Sequence, residues 1–123
     1  MDLICFSHLR WDFVYQRPQH LMSRFAKQNR VFFIEEPVFD TENNHLQLEL
    51  REGLTVVIPH LQAEGSGEDH ALQQVNLLKE LFNEENITDY FFWYYTPMAL
   101  ALGNSFSPQL IVCLLYTSDA ADE

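Results

Sequence analysis

Short apolar runs and amphipathic stretches take turns along the chain. Residues 3–6, Leu-Ile-Cys-Phe, are continuously apolar, as a strand covered on both faces is. Residues 7–16 form a polar and aromatic loop. Pro18 stands where a helix opens, because its missing N–H would be unpaired at the first helical position anyway. Leu21, Met22, Phe25 and Ala26 then share one helical face, with Arg24, Lys27 and Gln28 elsewhere, and Asn29 is a stop. Arg30 to Ile34 reads as a second buried strand built on Val-Phe-Phe-Ile. Strand, helix and strand within about 35 residues predict a βαβ unit, closed by Glu35-Glu36-Pro37.

Beyond the proline the period changes. Leu46, Leu48 and Leu50 alternate with Gln47, Glu49 and Arg51, Glu52-Gly53 makes a turn, and residues 54–58 return. This predicts a hairpin attached to the main sheet. Residues 62–67 read as a linker. Ser66 with Asp69 resembles a helix-start capping pair, with Asp in place of the usual Glu. Leu72, Val75, Leu78 and Phe82, flanked by Ala71, Leu77 and Leu81, predict a long amphipathic helix to about Glu85, broken by residues 86–89. Residues 90–95 are all aromatic and read as a strand; Thr96-Pro97 opens a short helix over 98–102, and residues 110–115 form the last strand. The expected class is α/β: a Rossmann-like, mainly parallel sheet with helices on both faces, holding the strands at 2–7, 30–35, 90–95 and 110–114.

Composition narrows the class. The 123 residues suit one domain and are 47% hydrophobic, enough for a packed core. Seven Lys and Arg against 18 Asp and Glu give a formal charge of -11. Such a chain repels phosphate backbones and anionic lipid, which argues against nucleic-acid binding. Cys5 and Cys113 both lie in apolar runs and are expected to be buried and inert, without CxxC or ligand spacing. The N-terminus lacks the basic region and cleavage site of a secretory signal. No apolar run is long enough to span a bilayer. The expected location is the cytoplasm, with any peripheral membrane contact made by parts outside this chain.

Candidate chemistry gathers after the first strand. His8, Arg10, Trp11, Asp12, Tyr15, Gln16, Arg17, Gln19 and His20 fall in or beside one loop. Ligands of open α/β sheets bind beyond the carboxyl ends of strands, so the loop is well placed. Arg and His can donate to phosphate or sugar oxygens, Trp11 can stack on a sugar face, and the following helix points N–H groups at an anion. Arg17 precedes Pro18 and is pushed towards an extended backbone, from which it could bind a ligand oxygen or pair with Glu35 or Glu36. Glu36 ends the second strand, and Tyr95 and Thr96 end the aromatic one. The competing account of each is ordinary: a self-packed loop, solvated carboxylates before a proline, core aromatics. No GxGxxG, Walker A, GxSxG or HExxH occurs. The five His residues (8, 20, 45, 60, 70) lack metal spacing, so neither a metal nor a cofactor is expected.

Residues 2–21 (DLICFSHLRWDFVYQRPQHL), 30–37 (RVFFIEEP) and 93–98 (WYYTPM) together resemble the N-terminal region of bacterial glycosyltransferases of the GT-B fold, related to families 1 and 4. The Gln16-Arg17-Pro18-Gln19-His20-Leu21 stretch after Trp11-Asp12 carries most of the likeness, which spans about residues 2–112. It implies an incomplete acceptor-side domain over 1–112. The missing C-terminal domain would grip a nucleotide-sugar donor, and the acceptor would be a glycan or lipid-linked glycan. Leaving-group charge would be stabilised by cations and helix dipoles rather than by an obligatory metal. Trp11, Gln16, Arg17, Gln19, His20 and Glu36 would bind the acceptor or line the cleft; the resemblance names no catalytic base. Residues 113–123 depart from the family ending and resemble a translated adapter sequence, so they are expected to be non-native, the other account being a frayed acidic terminus. The fragment is expected to be inactive alone, and about 250 further residues would complete the parent. The reading from another class is a small α/β module that binds carbohydrate or protein without catalysis. A flavodoxin-like or response-regulator-like domain is disfavoured, because the acidic cluster and phosphoacceptor Asp of such folds are not evident.

Overall fold

A computed structural model describes residues 1–7, 17–51, 53–95 and 97–113 of the chain, with backbone only for 17–20, 97–99 and 101. In chain order the elements are β1 (Asp2–Phe6), α1 (Arg17–Phe25), β2 (Val31–Ile34), β3 (His45–Arg51), β4 (Leu54–His60), α2 (Gly67–Glu84), β5 (Tyr90–Tyr94), a 3-10 helix (Pro97–Ser105) and β6 (Ile111–Cys113). The six strands form one sheet in the order β3-β4-β2-β1-β5-β6. Every neighbouring pair is parallel except β3 with β4.

The apolar runs of β1 and β2 are two interleaved sets. Successive side chains on a strand point to opposite faces, and here each face has its own core. Ile4, Phe6, Phe32 and Ile34 join Val75, Leu78, Leu81 and Phe82 of α2. Leu3, Cys5, Val31 and Phe33 join Met22 of α1 on the other side. Helices therefore cover both faces, and β1, at the centre, has Leu3, Ile4 and Cys5 at 0% exposure. Rings fix the α2-side core further: Phe6 stacks on Tyr94 with centroids 5.1 Å apart, and Phe82 meets Tyr90 edge-on at 4.9 Å.

Both ends of α2 are written in local sequence. Ser66 Oγ accepts from the Asp69 amide at 3.2 Å, and the Ser66 amide donates to Asp69 Oδ2 at 3.1 Å. The shorter Asp thus closes the capping box. At the other end Asn86 takes φ 55°. The Ile87 amide then reaches back to the Phe82 carbonyl at 2.8 Å and the Asn86 amide to that of Asn83 at 3.4 Å. This is a Schellman stop with Asn in the left-handed position and Ile87 and Phe82 in the same core. The hairpin pairs antiparallel from His45↔His60 to Arg51↔Leu54, with Gly53 at φ 85° in its turn.

Three expectations change at the far edge. The helix after Pro97 is a nine-residue 3-10 helix. A Cβ on Gly103 would stand 2.2 Å from Tyr94 Oη, so glycine lets this segment lie close to β5. The last strand, described over Ile111–Cys113, is not buried: Leu110 beside it is 58% and Ile111 54% exposed. Cys113, expected to be buried, is exposed, and both cysteines are free thiols. The reason is position: among the described residues β6 is the outermost strand and pairs on one side only. The expected tail beyond 113 lies outside the described residues.

Candidate functional site

Because β1, β2, β4, β5 and β6 run in one direction, their carboxyl ends share one edge of the sheet. The ladder runs one residue past three of them. The Ser7 amide donates to the Ile34 carbonyl at 3.0 Å, Glu35 to Val57 at 2.9 Å and Tyr95 to Phe6 at 2.8 Å. Ser7 and Glu35 are thereby held in the middle of this edge at 4% and 5% exposure, while Glu36, next along, is exposed. The segment after β2 continues the edge outwards: Val38 bridges to His60, its amide donating to Pro59 at 2.8 Å and its carbonyl accepting from Leu61 at 2.9 Å. α1, α2 and the 3-10 helix each follow a strand that ends here. Their first turns carry unpaired N–H groups and the positive end of the helix dipole.

A group of side chains closes the hairpin end of the edge. His60 Nδ1 lies 2.7 Å from Asp40 Oδ1 and its Nε2 lies 2.7 Å from Gln47 Oε1, so two partners orient the ring. His45 stacks on it with centroids 4.7 Å apart and planes 9° from parallel, and its Nδ1 is 2.8 Å from the Asn43 carbonyl. The Gln62 amide donates to Asn44 Oδ1 at 2.8 Å. Nearby, Phe39 and His70 bring their rings to 4.6 Å, and His70 Nε2 lies 3.1 Å from the Glu64 carbonyl. These groups can donate to and accept from a polyhydroxylated ligand. Among the described residues no set of three His, Cys, Asp or Glu is arranged to hold a metal.

The structure treats the sequence-predicted residues unequally. Glu36 and Tyr95 come to this edge on either side of β1. Tyr95 is 5% exposed, its ring lying in the α1-side core with Trp93 at 6.2 Å. Arg17, Gln19 and His20 occupy the first turn of α1 by backbone position. Their side chains lie outside the described residues, and with them any pairing of Arg17 to Glu35 or Glu36; so do Trp11, Gln16 and Thr96 entirely. Sequence reasoning missed Asp40, His45, Gln47 and His60. A signal was there: a hairpin turning at 52–53 sets 45 opposite 60, which brings two histidines face to face.

Burial decides two reactive groups. It pushes the Cys5 thiol well up from its ordinary value, which removes it as a nucleophile at neutral pH. The Tyr94 hydroxyl is pushed up to about 12, first by burial and then by the charge of Cys113.

An open, mainly parallel sheet with helices on both faces and polar groups along its carboxyl edge is a Rossmann-like unit of the kind that GT-B glycosyltransferases contain. Among solved structures, the chain is similar to the trehalose-6-phosphate synthase of E. coli, a GT-B glycosyltransferase, bound with UDP-2-fluoro glucose. The TM-score is 0.54 at 12% identity, over 94% of this chain and 33% of that one. The chain thus spans about a third of its neighbour's length, and at this identity the likeness is one of fold. No family model and no curated protein matches the sequence. No helix among the described residues is long and apolar enough to cross a membrane.

Proposed function

We propose that this chain is the acceptor-side Rossmann-like unit of a glycosyltransferase, whose parent moves a sugar from a nucleotide-sugar donor to a glycan or lipid-linked glycan. The observation that carries the reading is the carboxyl edge of the sheet. It joins the first turns of three helices to Glu36, Asp40 and the His45–His60 stack in a fold similar to that of a glycosyltransferase bound to a sugar nucleotide. Sugar hydroxyls both donate and accept, so carboxylates, imidazoles and helix N–H groups suit them together. Arg17, whose backbone opens α1 at this edge, is the residue we assign to an acceptor oxygen. The donor would be held by a second domain, which makes the isolated unit inactive.

The test uses an isotope-labelled chain titrated with maltose and, separately, with UDP-glucose, followed by amide shifts. Acceptor-side binding moves Ser7, Glu36 and His60 with maltose, leaves them unmoved with UDP-glucose, and gives no sugar transfer when both are present. Shifts at the same amides with UDP-glucose alone would move the assignment to the donor side. Turnover by the 123-residue chain would show that the unit is catalytically sufficient.

A further inference from the structure

From the hairpin end of the carboxyl edge, a groove runs away between the outer strand β3 and helix α2. Leu46, Leu48 and Leu50 alternate along β3 and point to the α2 side, opposite Pro59, Val57 and Thr55. Leu46 reaches the core there, but Leu48 stays 46% and Leu50 79% exposed. Two hollows of about 200 and 180 Å³ share Leu48; one continues to Phe32 and Glu85, the other to Leu77, Glu80 and Glu84 of α2. The floor is apolar and the α2 wall is acidic.

That wall is set against the helix's own interest. Glu80 and Glu84 stand four apart on one face, where like charges repel. Glu84 and Glu85 crowd the last turn, the negative end of the dipole, and no basic residue stands in that turn. Arg30 reaches Glu85 at 3.6 Å while bonded to Asp2. No ion pair forms at Glu80 or Glu84 among the described residues. A cation brought from outside would relieve this repulsion, and leucines beneath would anchor what carries it.

We propose that the β3–α2 groove docks a basic amphipathic helix of a partner protein, with apolar residues on Leu48 and Leu50 and Lys or Arg against Glu80 and Glu84. Charge decides the occupant: a second copy, at -11, would set acid against acid, and an anionic membrane would be repelled in the same way. One hollow begins beside Asn44 and His45 of the carboxyl edge, but the docking residues Leu48, Leu50, Glu80 and Glu84 lie outside that edge, and the proposal stands whether or not the edge binds sugar.

The experiment titrates the full chain into a fluorescein-labelled, 18-residue Leu/Lys amphipathic peptide, with a Leu/Glu peptide of the same pattern as control. Saturable binding of the basic peptide only is expected. Glu80→Lys with Glu84→Lys should weaken it about tenfold, since two modest surface pairs are reversed. The same double variant should melt no lower than wild type, because lysines suit the negative end of the dipole while repelling each other no more than the glutamates did, so loss of binding is not loss of fold. Glu42→Lys with Glu64→Lys gives the same net charge away from the groove and should change affinity less than about twofold. Leu48→Ser should weaken binding without altering salt dependence. Equal losses in the two charge variants would reduce the effect to bulk attraction and overturn the proposal. So would absence of binding, a lower melting point for the α2 variant, or a dimer abolished by Leu48→Ser, which would make the groove a self-association face.

Discussion

Tyr94 and Gly103 show how one missing atom shapes the far side of the sheet. Tyr94 is 1% exposed, stacked on Phe6, and its hydroxyl points to where a Gly103 side chain would be. A methyl there would stand 2.2 Å from the oxygen, and only 3.5 Å from Phe92 Cε2 and Tyr94 Cζ. The oxygen is therefore the clash, and it sits on a rigid buried ring rather than on a flexible tip. Gly103→Ala should destabilise the chain by about 1–3 kcal/mol, the usual cost of overpacking. Tyr94→Phe in the same chain should recover most of that loss, because the remaining contacts are ordinary. Urea unfolding of the two variants and their combination measures it; additive effects would mean that the 3-10 helix, not the hydroxyl, sets the spacing.

At the level of elements, much was legible because local chemistry and tertiary packing agree. The period-2 leucines became β3, the aromatic run became β5, and the Ser66–Asp69 pair became the N-terminus of α2. The 3-10 helix and the exposed β6 were not legible. Pro97-Met-Ala-Leu-Ala-Leu reads as an ordinary helix until the close approach at Gly103 is known. An apolar Leu-Ile-Val-Cys reads as buried unless the strand order puts it last. The candidate site divides the same way: the carboxyl edge follows from strand direction, whereas the His60 group needs the hairpin register. The cap offers the cleanest test at this scale. Ser66→Ala removes the acceptor for the Asp69 amide and leaves Asp69 Oδ2 on the residue-66 amide. It should cost about 0.5–2 kcal/mol, read as a lower urea midpoint with an unchanged slope. Ser66→Asp, which keeps an acceptor at the cap, should restore stability. Failure of both to move the midpoint would mean that α2 is held by its core contacts alone.

For the whole molecule, charge and shape pull in opposite directions. A net charge of -11 should keep copies apart. Yet among the described residues the sheet ends in β6, three residues with no charge among them, with Ile111 54% exposed and Leu110 beside it 58% exposed. The other end is guarded differently: β3 carries Glu49, Arg51 and His45 along its length. An open strand with apolar flanks offers unpaired backbone groups to a neighbour, and screening then decides the outcome. At 0.01 M ionic strength the repulsion reaches about 30 Å and at 1 M about 3 Å. We therefore expect the chain to sediment as a monomer at low salt and to associate as salt rises, the reverse of a charge-paired dimer. Ile111→Lys should abolish the association by placing a charge on the edge, and Leu48→Ser in the distant groove should leave it unchanged. A single monomeric species at every salt concentration would show that the outer edge of β6 is covered in solution, and that the fold is more self-contained than its strand order implies.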